Sequence, residues 1–207
     1  MRVIKANRSG ARPDDHQEAK RYYFKAQDAL KAGKWIKAID FLKTSVRLKE
    51  DYQPAYRDLA EIFHQHGDTL QAREYIKKSL RINPQDPVSL FTQGVILLSL
   101  GELQSALNSF QRVMENGDIT WGLAYNIGLC YYGLKDFSFS IDYLSQAIQK
   151  DPSQTQPYLL LAQIYILQNK ADKAGEVLMR AKRMRPQDKQ LDVLLSNILD
   201  LPKNPGG

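Results

Sequence analysis

The chain has 207 residues, of which 43% are hydrophobic and 25% charged, and its formal net charge is +6. This composition is ordinary for a soluble domain, and no apolar run reaches the length of a membrane span. The single cysteine, Cys130, excludes an intramolecular disulfide and argues against a structural zinc site. The basic charge lies toward the two ends: residues 1–52 carry 13 Lys and Arg against 7 Asp and Glu, and residues 155–207 carry 8 against 5. A nucleic-acid-binding protein usually shows a continuous basic stripe, so we do not expect nucleic acid as a partner.

Residues 1–15 are polar and contain Gly10 and Pro13, which predicts a disordered tail. They include basic residues but no apolar core of the kind a secretory signal needs, and no cysteine that could carry a lipid. We therefore expect a cytoplasmic protein. A periplasmic protein without its signal would look the same, so that alternative stays open.

The rest of the chain repeats with a period of 34 residues. A small residue recurs at this interval in five successive units, at Ala38, Ala72, Ala106, Ser140 and Ala174. Four residues after each of these comes a large apolar residue, at Leu42, Ile76, Phe110, Leu144 and Leu178. Glycines that suit a helix-ending turn follow the same period at Gly33, Gly67 and Gly101, but the fourth turn reads Lys135-Asp136.

Two units carry a family resemblance: "LFTQGVILLSLGELQSALNSF" in the third and "AYNIGLCYYGLKDFSFSIDYLSQAIQKDP" in the fourth resemble the tetratricopeptide repeat. The resemblance implies an all-α, right-handed superhelical solenoid of antiparallel helix pairs. It covers roughly residues 19–188. The main departures are Lys25 in place of the usual Leu, the missing closing proline of repeat one, and Ser140 in the alanine column.

On this register we expect one repeat domain over residues 16–200, with repeats that begin at about 19, 53, 87, 121 and 155. The segment after Pro186 has an apolar stripe of leucines and Ile198, which predicts a capping helix over about 188–200. Pro202 ends this helix, and residues 201–207 are expected to be a disordered tail.

The residues that could carry chemistry form no recognisable catalytic pattern. His64 and His66 lie two apart on one helix and do not share a face. Cys130 has no base three or four residues away and is interpreted as a small packing residue. The sequence contains no phosphate loop, dinucleotide fingerprint, nucleophile elbow or metal-ligand spacing. We therefore predict neither an enzyme nor a bound cofactor or metal.

A binding surface remains, and the resemblance places it in a concave groove lined by the first helix of each repeat. Repeat two is predicted to be charged there, with Arg57, Asp58 and Glu61. Repeats three to five are predicted to be largely apolar. Their candidate partner-binding residues are Phe91, Val95, Leu98, Tyr125, Asn126, Leu129, Tyr132, Leu159, Gln163 and Ile166. Contiguous apolar residues on a soluble surface indicate a partner such as an amphipathic helix or an extended peptide. Gly122 and Gly133 are expected to leave room for a bulky side chain of that partner.

Some tetratricopeptide domains clamp acidic chaperone C-termini with Lys, Asn and Arg. Only Asn126 matches a clamp column, whereas the preceding repeat has Phe91 and Val95 in place of Lys and Asn. Binding of chaperone tails in this mode is therefore disfavoured. The leading hypothesis is a non-catalytic adaptor or scaffold, and the alternative is a chaperone or assembly factor for a secreted, pilus or membrane-associated subunit. Apolar residues in the groove could instead fill the interior, pack on the tail or support self-association.

Overall fold

A computed structural model describes residues 13–115 and 117–199, and all regular secondary structure in these residues is α-helical. The helices follow one another as pairs joined by short turns, which confirms the all-α fold class. The chain divides into two compact units, the first ending at Leu100 and the second beginning at Gly101. The expectation of one domain over residues 16–200 stays a prediction.

Residues 13–100, the described part of unit 1, form five helices. They are α1 (Pro13–Lys31), α2 (Trp35–Leu48), α3 (Gln53–Gln65), α4 (Thr69–Ile82) and α5 (Pro87–Ser99). The pairs α1–α2 and α3–α4 pack along their lengths, α2 packs on α3, and α5 packs on both α3 and α4. Helices α3 and α5 begin with proline in the first turn, where the absent N–H leaves no helical hydrogen bond unmade.

The core of unit 1 is built from the columns that repeat in the sequence. Ala26, Ala38 and Leu42 are fully buried between α1 and α2, and Ala60, Ala72 and Ile76 hold the same columns in α3 and α4. The alanines let two helices approach closely, and the larger side chains fill the space between the pairs. One such pair cannot cover its own apolar face, so stacking on the next pair supplies most of the burial.

In unit 2, the residues that the structure describes form six helices. They are α6 (Leu103–Glu115), α7 (Trp121–Gly133), α8 (Phe137–Lys150), α9 (Thr155–Leu167), α10 (Ala171–Met184) and α11 (Lys189–Leu199). The pairs α7–α8 and α9–α10 pack closely, α6 packs on α7, and α9 contacts both α7 and α8. Helix α11 packs on α10 and buries Leu191 and Ile198 there. It lies where the capping helix was predicted.

Ser140 replaces alanine in the α8 column without leaving a polar group unsatisfied. It is fully buried, and its hydroxyl donates to the carbonyl of Gly128 at 2.8 Å. A Cβ on Gly128 would lie 3.0 Å from two atoms of Leu144, so glycine permits the close approach of α7 and α8. The departure at Ser140 is therefore accommodated by a hydrogen bond across the helix pair.

Five of the short turns between successive helices share one backbone conformation. Positive φ angles of 70°, 85° and 75° occur at Gly33, Gly67 and Gly101, and the fourth and fifth turns place Lys135 at 61° and Asn169 at 57°. Lys135 thus occupies the left-handed position that glycine holds in the first three turns, although its Cβ makes that conformation costly. The turn survives the loss of its glycine because the paired helices on either side determine its path.

The two ends of the chain compare with the predictions as follows. Helix α1 begins at Pro13, so Pro13–Asp15 are helical although a disordered tail was predicted over residues 1–15. Proline suits a first helical position because its φ is already helical. Residues 1–12 and the predicted tail over 201–207 lie outside the described residues.

Candidate functional site

The predicted groove residues of unit 1 form a stripe on α5. Phe91, Val95 and Leu98 are spaced four and three residues apart, so they share one face of the helix. All three side chains are half-buried. This face is therefore apolar and partly accessible.

A polar cluster lies beside that stripe, on the first helices α1, α3 and α5. Asp58 is buried and accepts hydrogen bonds from the Gln27 amide and from Arg57, whose Nε and Nη2 lie 3.2 and 3.1 Å from Oδ1. Thr92 Oγ1 donates to Glu61 Oε1 at 3.2 Å. These contacts join residues 31 positions apart in the sequence and so tie neighbouring repeats together.

Burial shifts the titration of this cluster. Desolvation, followed by the nearby Asp58 carboxylate, raises the pKa of Tyr23 to about 12. Desolvation also raises the pKa of Asp58, because the attraction of Arg57 only partly offsets the loss of water. The pKa of Glu61 rises for the same reason and because Asp58 is close. The carboxylates are thus held by hydrogen bonds within the protein.

The predicted groove residues of unit 2 come from two adjacent helices. Tyr125, Leu129 and Tyr132 on α7 and Leu159 on α9 are half-buried and pack against one hydrophobic core. Each set follows a spacing of four and then three residues, since Gln163 and Ile166 continue the α9 set. The direct contact between α7 and α9 places the two stripes side by side.

These stripes differ in how much surface they offer. Gln163 is exposed, and Ile166 keeps 39% of its surface accessible. Asn126, on the neighbouring face of α7, donates its amide to the Gly122 carbonyl of its own helix at 2.7 Å. The α9 stripe is therefore the more accessible of the two stripes in unit 2, and the α7 stripe lies deeper beside it.

The structure corrects the roles expected of several residues. A Cβ on Gly133 would lie 2.7 Å from Leu103 Cδ1, so Gly133 makes room for α6 rather than for a partner. Gly122 has open space where a Cβ would lie, as expected. Asp58 belongs to the buried cluster rather than to an open groove, because neighbouring repeats cover it.

The histidines and the cysteine have structural surroundings. The His66 ring stacks on Trp35 at a centroid distance of 3.9 Å. His64 lies half-buried with Nε2 3.5 Å from Ser99 Oγ, and burial lowers its pKa. Burial raises the pKa of Cys130 to about 12, which keeps the thiol protonated at neutral pH. In the described part of the chain, no three His, Cys, Asp or Glu side chains are grouped as metal ligands.

The prediction of binding residues considered only the first helix of each repeat, and so it missed a basic surface on the second helices of unit 1. The second helices of unit 1 carry lysines that lie over aromatic rings, as with Lys43 over Phe63 at 5.8 Å and Lys78 over Tyr75 at 5.3 Å. The density of lysine in residues 1–52 was a signal of this surface, but the ring contacts depend on neighbouring helices.

Comparison with known families decides the class of this arrangement. A tetratricopeptide repeat profile matches residues 23–87 and 91–155, and a second tetratricopeptide repeat profile matches residues 131–198. The chain belongs to the tetratricopeptide repeat family. The resemblance to this family that the sequence predicts is therefore confirmed.

Relatives of this tetratricopeptide chain include subunits of large assemblies. The BBSome complex member BBS4 of Mus musculus is 27% identical over 132 residues, which are 64% of this chain and 25% of the relative. The anaphase-promoting complex subunit cut9 of Schizosaccharomyces pombe is 26% identical over 171 residues, or 72% of this chain and 26% of the relative. The chain thus spans about a quarter of the length of these relatives.

Solved structures with the same fold include shorter proteins. MamA of Desulfovibrio magneticus RS-1, solved from residue 41 to its end, has a TM-score of 0.76 and 22% identity, and the match covers 83% of this chain and 97% of that solved chain. The type IV pilus biogenesis factor PilW has a TM-score of 0.78 and 16% identity, with 88% and 86% covered. YrrB, described as a tetratricopeptide protein with an unusual peptide-binding site, has a TM-score of 0.71 and 18% identity, with 91% and 100% covered. At these identities the likeness is one of fold.

Helix length and hydropathy bear on membrane insertion. Among the described residues, none of the helices is both long and apolar enough to cross a bilayer.

Proposed function

We propose that this tetratricopeptide protein is a non-catalytic scaffold or adaptor that binds a partner peptide or helix on its first-helix surfaces. The observation that carries the proposal is the pair of adjacent stripes on α7 and α9. Leu159 and Ile166 lie on α9 with exposed Gln163 between them. An amphipathic helix can set its own apolar residues on such a surface, and polar groups at the margin can fix its register.

Relatives and neighbours support the proposal at the level of protein binding. Cut9 was solved as a hetero-tetramer with Hcn1, and YrrB is described as having a peptide-binding site. For this chain, the α5 stripe of Phe91, Val95 and Leu98 is a second apolar surface of the same kind. We propose a cytoplasmic location for this scaffold. The proposal does not include binding of chaperone C-termini by a clamp, because the Asn126 amide is hydrogen-bonded to its own helix.

Site-specific photo-crosslinking tests the proposed surface. A photoreactive amino acid would replace Gln163 or Ile166 in the full chain, and a matched variant would carry it at Met179 of α10, which is 54% exposed. Affinity capture followed by mass spectrometry should find the same partner crosslinked at positions 163 and 166. A partner that crosslinks at 179 and at neither α9 position would contradict the proposal.

The alternative is a chaperone or assembly factor for a secreted, pilus or membrane-associated subunit. The fold likeness to the pilus biogenesis factor PilW is compatible with it. Co-expression separates the two functions: a client of a chaperone is insoluble without this chain, whereas an adaptor's partner is soluble alone.

A further inference from the structure

The second helices of unit 1 form a basic surface. Helices α2 and α4 together carry seven Lys and Arg residues against two acidic ones, Asp40 and Glu74. Six of the seven basic side chains are exposed, namely Lys37, Lys43, Arg47, Lys77, Lys78 and Arg81. By contrast, α6 and α8 of unit 2 each carry one basic and one acidic residue. Helix α10 of unit 2 carries four basic residues against two acidic ones, so the second helices differ in charge, and α2 and α4 together hold a larger basic excess than α10.

Aromatic rings hold the lysines of this surface in place. Lys37 lies 5.7 Å from the centroid of Phe41, Lys43 lies 5.8 Å from that of Phe63, and Lys78 lies 5.3 Å from that of Tyr75. Phe63 and Tyr75 stack on each other at 5.3 Å with an interplanar angle of 5°. We call the six residues Lys37, Phe41, Lys43, Phe63, Tyr75 and Lys78 the basic–aromatic strip; it has two parts, Lys37 with Phe41 and the contact chain of Lys43, Phe63, Tyr75 and Lys78. Contacts of this kind restrain flexible lysine side chains, so less entropy is lost when an anion binds.

The lysines of the strip are not neutralised by carboxylates. Glu74 pairs with Lys77 at 2.9 Å, outside the strip. Within residues 15–115 and 117–198, Lys37, Lys43 and Lys78 have no carboxylate oxygen within 4.0 Å. Asp40 is exposed on α2 three residues from both Lys37 and Lys43, but it makes no such contact with either, so the three ammonium groups can attract an acidic ligand.

We propose that the basic–aromatic strip binds an acidic segment of a protein, rich in Asp and Glu, independently of the apolar stripes on α7 and α9. Single-stranded nucleic acid is disfavoured because it needs open ring faces for base stacking. Here the rings are half-buried, and Phe63 and Tyr75 already stack on each other. A membrane surface is disfavoured because Phe41, Phe63 and Tyr75 of the strip pack against the core. The exposed apolar side chains of α2 and α4, such as Ile36 and Leu70, are not part of the strip, and vesicle binding tests them.

Charge reversal on the full chain tests the strip. The probe is a fluorescein-labelled 12-residue peptide of alternating Glu and Asp, and its binding is followed by anisotropy in 50 mM NaCl. The triple variant Lys37→Glu, Lys43→Glu, Lys78→Glu should bind the peptide at least about tenfold more weakly, since three surface ion pairs are replaced by repulsion. The matched triple variant in unit 2, Lys150→Glu, Lys173→Glu, Arg183→Glu, changes the net charge equally. It includes Lys173, which lies over Tyr165 at 5.9 Å. Its affinity should fall less than about threefold.

Two further measurements keep the test decisive. If the charge-reversed chain loses helicity, the triple Gln variant at positions 37, 43 and 78 replaces it, and about a fivefold loss of affinity is expected. Equal weakening in units 1 and 2 would overturn the proposal, because it would show attraction by net charge alone. Tighter binding of a 12-nucleotide oligo(dT), or of vesicles of phosphatidylcholine and phosphatidylserine, would overturn the choice of an acidic protein segment. Failure of the α9 crosslinking experiment would leave this result unaffected.

Discussion

The two units use the same repeat for different surfaces. Unit 1 has a hydrogen-bonded polar cluster around Asp58 on its first helices, an apolar stripe on α5, and a basic face on its second helices α2 and α4. Unit 2 has apolar stripes on its first helices α7 and α9; its second helices α6 and α8 are rich in Ser and Gln, and its second helix α10 is basic. The core columns are shared, whereas the positions between them are free to differ. The recurring core positions therefore determine how the helices pack, and the positions between them determine the character of each surface.

The largest expected effect tests whether the core columns are equivalent in both units. Leu42 and Leu144 hold the same column and are both fully buried. Leu42→Ala and Leu144→Ala should each lower the free energy of unfolding by about 3 kcal/mol, because each leaves a cavity in a packed core. Urea unfolding followed by circular dichroism measures both. A cost below about 1 kcal/mol in one unit would show that its core is not built as the other is.

The next effect concerns the column that holds Asp58 in unit 1 and Asn126 in unit 2. Asp58→Ala should cost about 2 kcal/mol, because Arg57 and Gln27 lose a buried charged partner. Asn126→Ala should stay within about 0.5 kcal/mol, because its amide serves only a carbonyl of its own helix. The same urea titrations compare them, and equal costs would remove the distinction between the polar and apolar units.

Alkaline pH isolates the contribution of Tyr23. Its folded-state pKa of about 12 lies above the ordinary value of 10.0, so the stability it contributes is present below pH 10 and is lost as pH rises through 12. Tyr23→Phe lacks this titration. The wild-type advantage over Tyr23→Phe in unfolding free energy should therefore shrink between pH 9.5 and 12. A constant difference across that range would mean that Tyr23 is not held by burial and Asp58.

The smallest effect lies in the turns. Gly101→Ala should lower the free energy of unfolding by about 1 kcal/mol, because alanine is strained at a φ of 75°. Lys135→Gly should raise it by about 0.5 kcal/mol, since relief of strain at 61° exceeds the added freedom of the unfolded chain. Thermal unfolding of the two variants and the wild type measures both changes: the unfolding temperature should fall for Gly101→Ala and rise for Lys135→Gly. A loss of stability in Lys135→Gly would show that Lys135 is not strained.

Much of the fold could be predicted from the sequence, because small and large apolar residues recur at fixed positions every 34 residues and so mark where each repeat begins. Repeats two to five were predicted to begin at 53, 87, 121 and 155, and α3, α5, α7 and α9 begin there. Helix α1 begins six residues before the predicted start of the first repeat at 19. The positive φ of Lys135 was not predicted, because only the flanking helices impose it.

The binding surfaces could be predicted only in part. A helical register identifies which residues share a face, and so it identified the stripes on α5, α7 and α9. It does not show which residue of a neighbouring helix fills the space beside that face. Gly133 was misassigned for this reason, because Leu103 of α6 lies against it. The basic–aromatic strip depends on Lys43 of α2 reaching Phe63 of α3, a contact that no single repeat contains.

The most direct test of the central claim is hydrogen–deuterium exchange of the full chain, alone and with its captured partner. Binding on the apolar first-helix surface of unit 2 predicts slowed exchange in α9, together with α7, and unchanged exchange in α8 and α10. Amides that are slowed only in α8 and α10 would place the partner on the second helices and contradict the account.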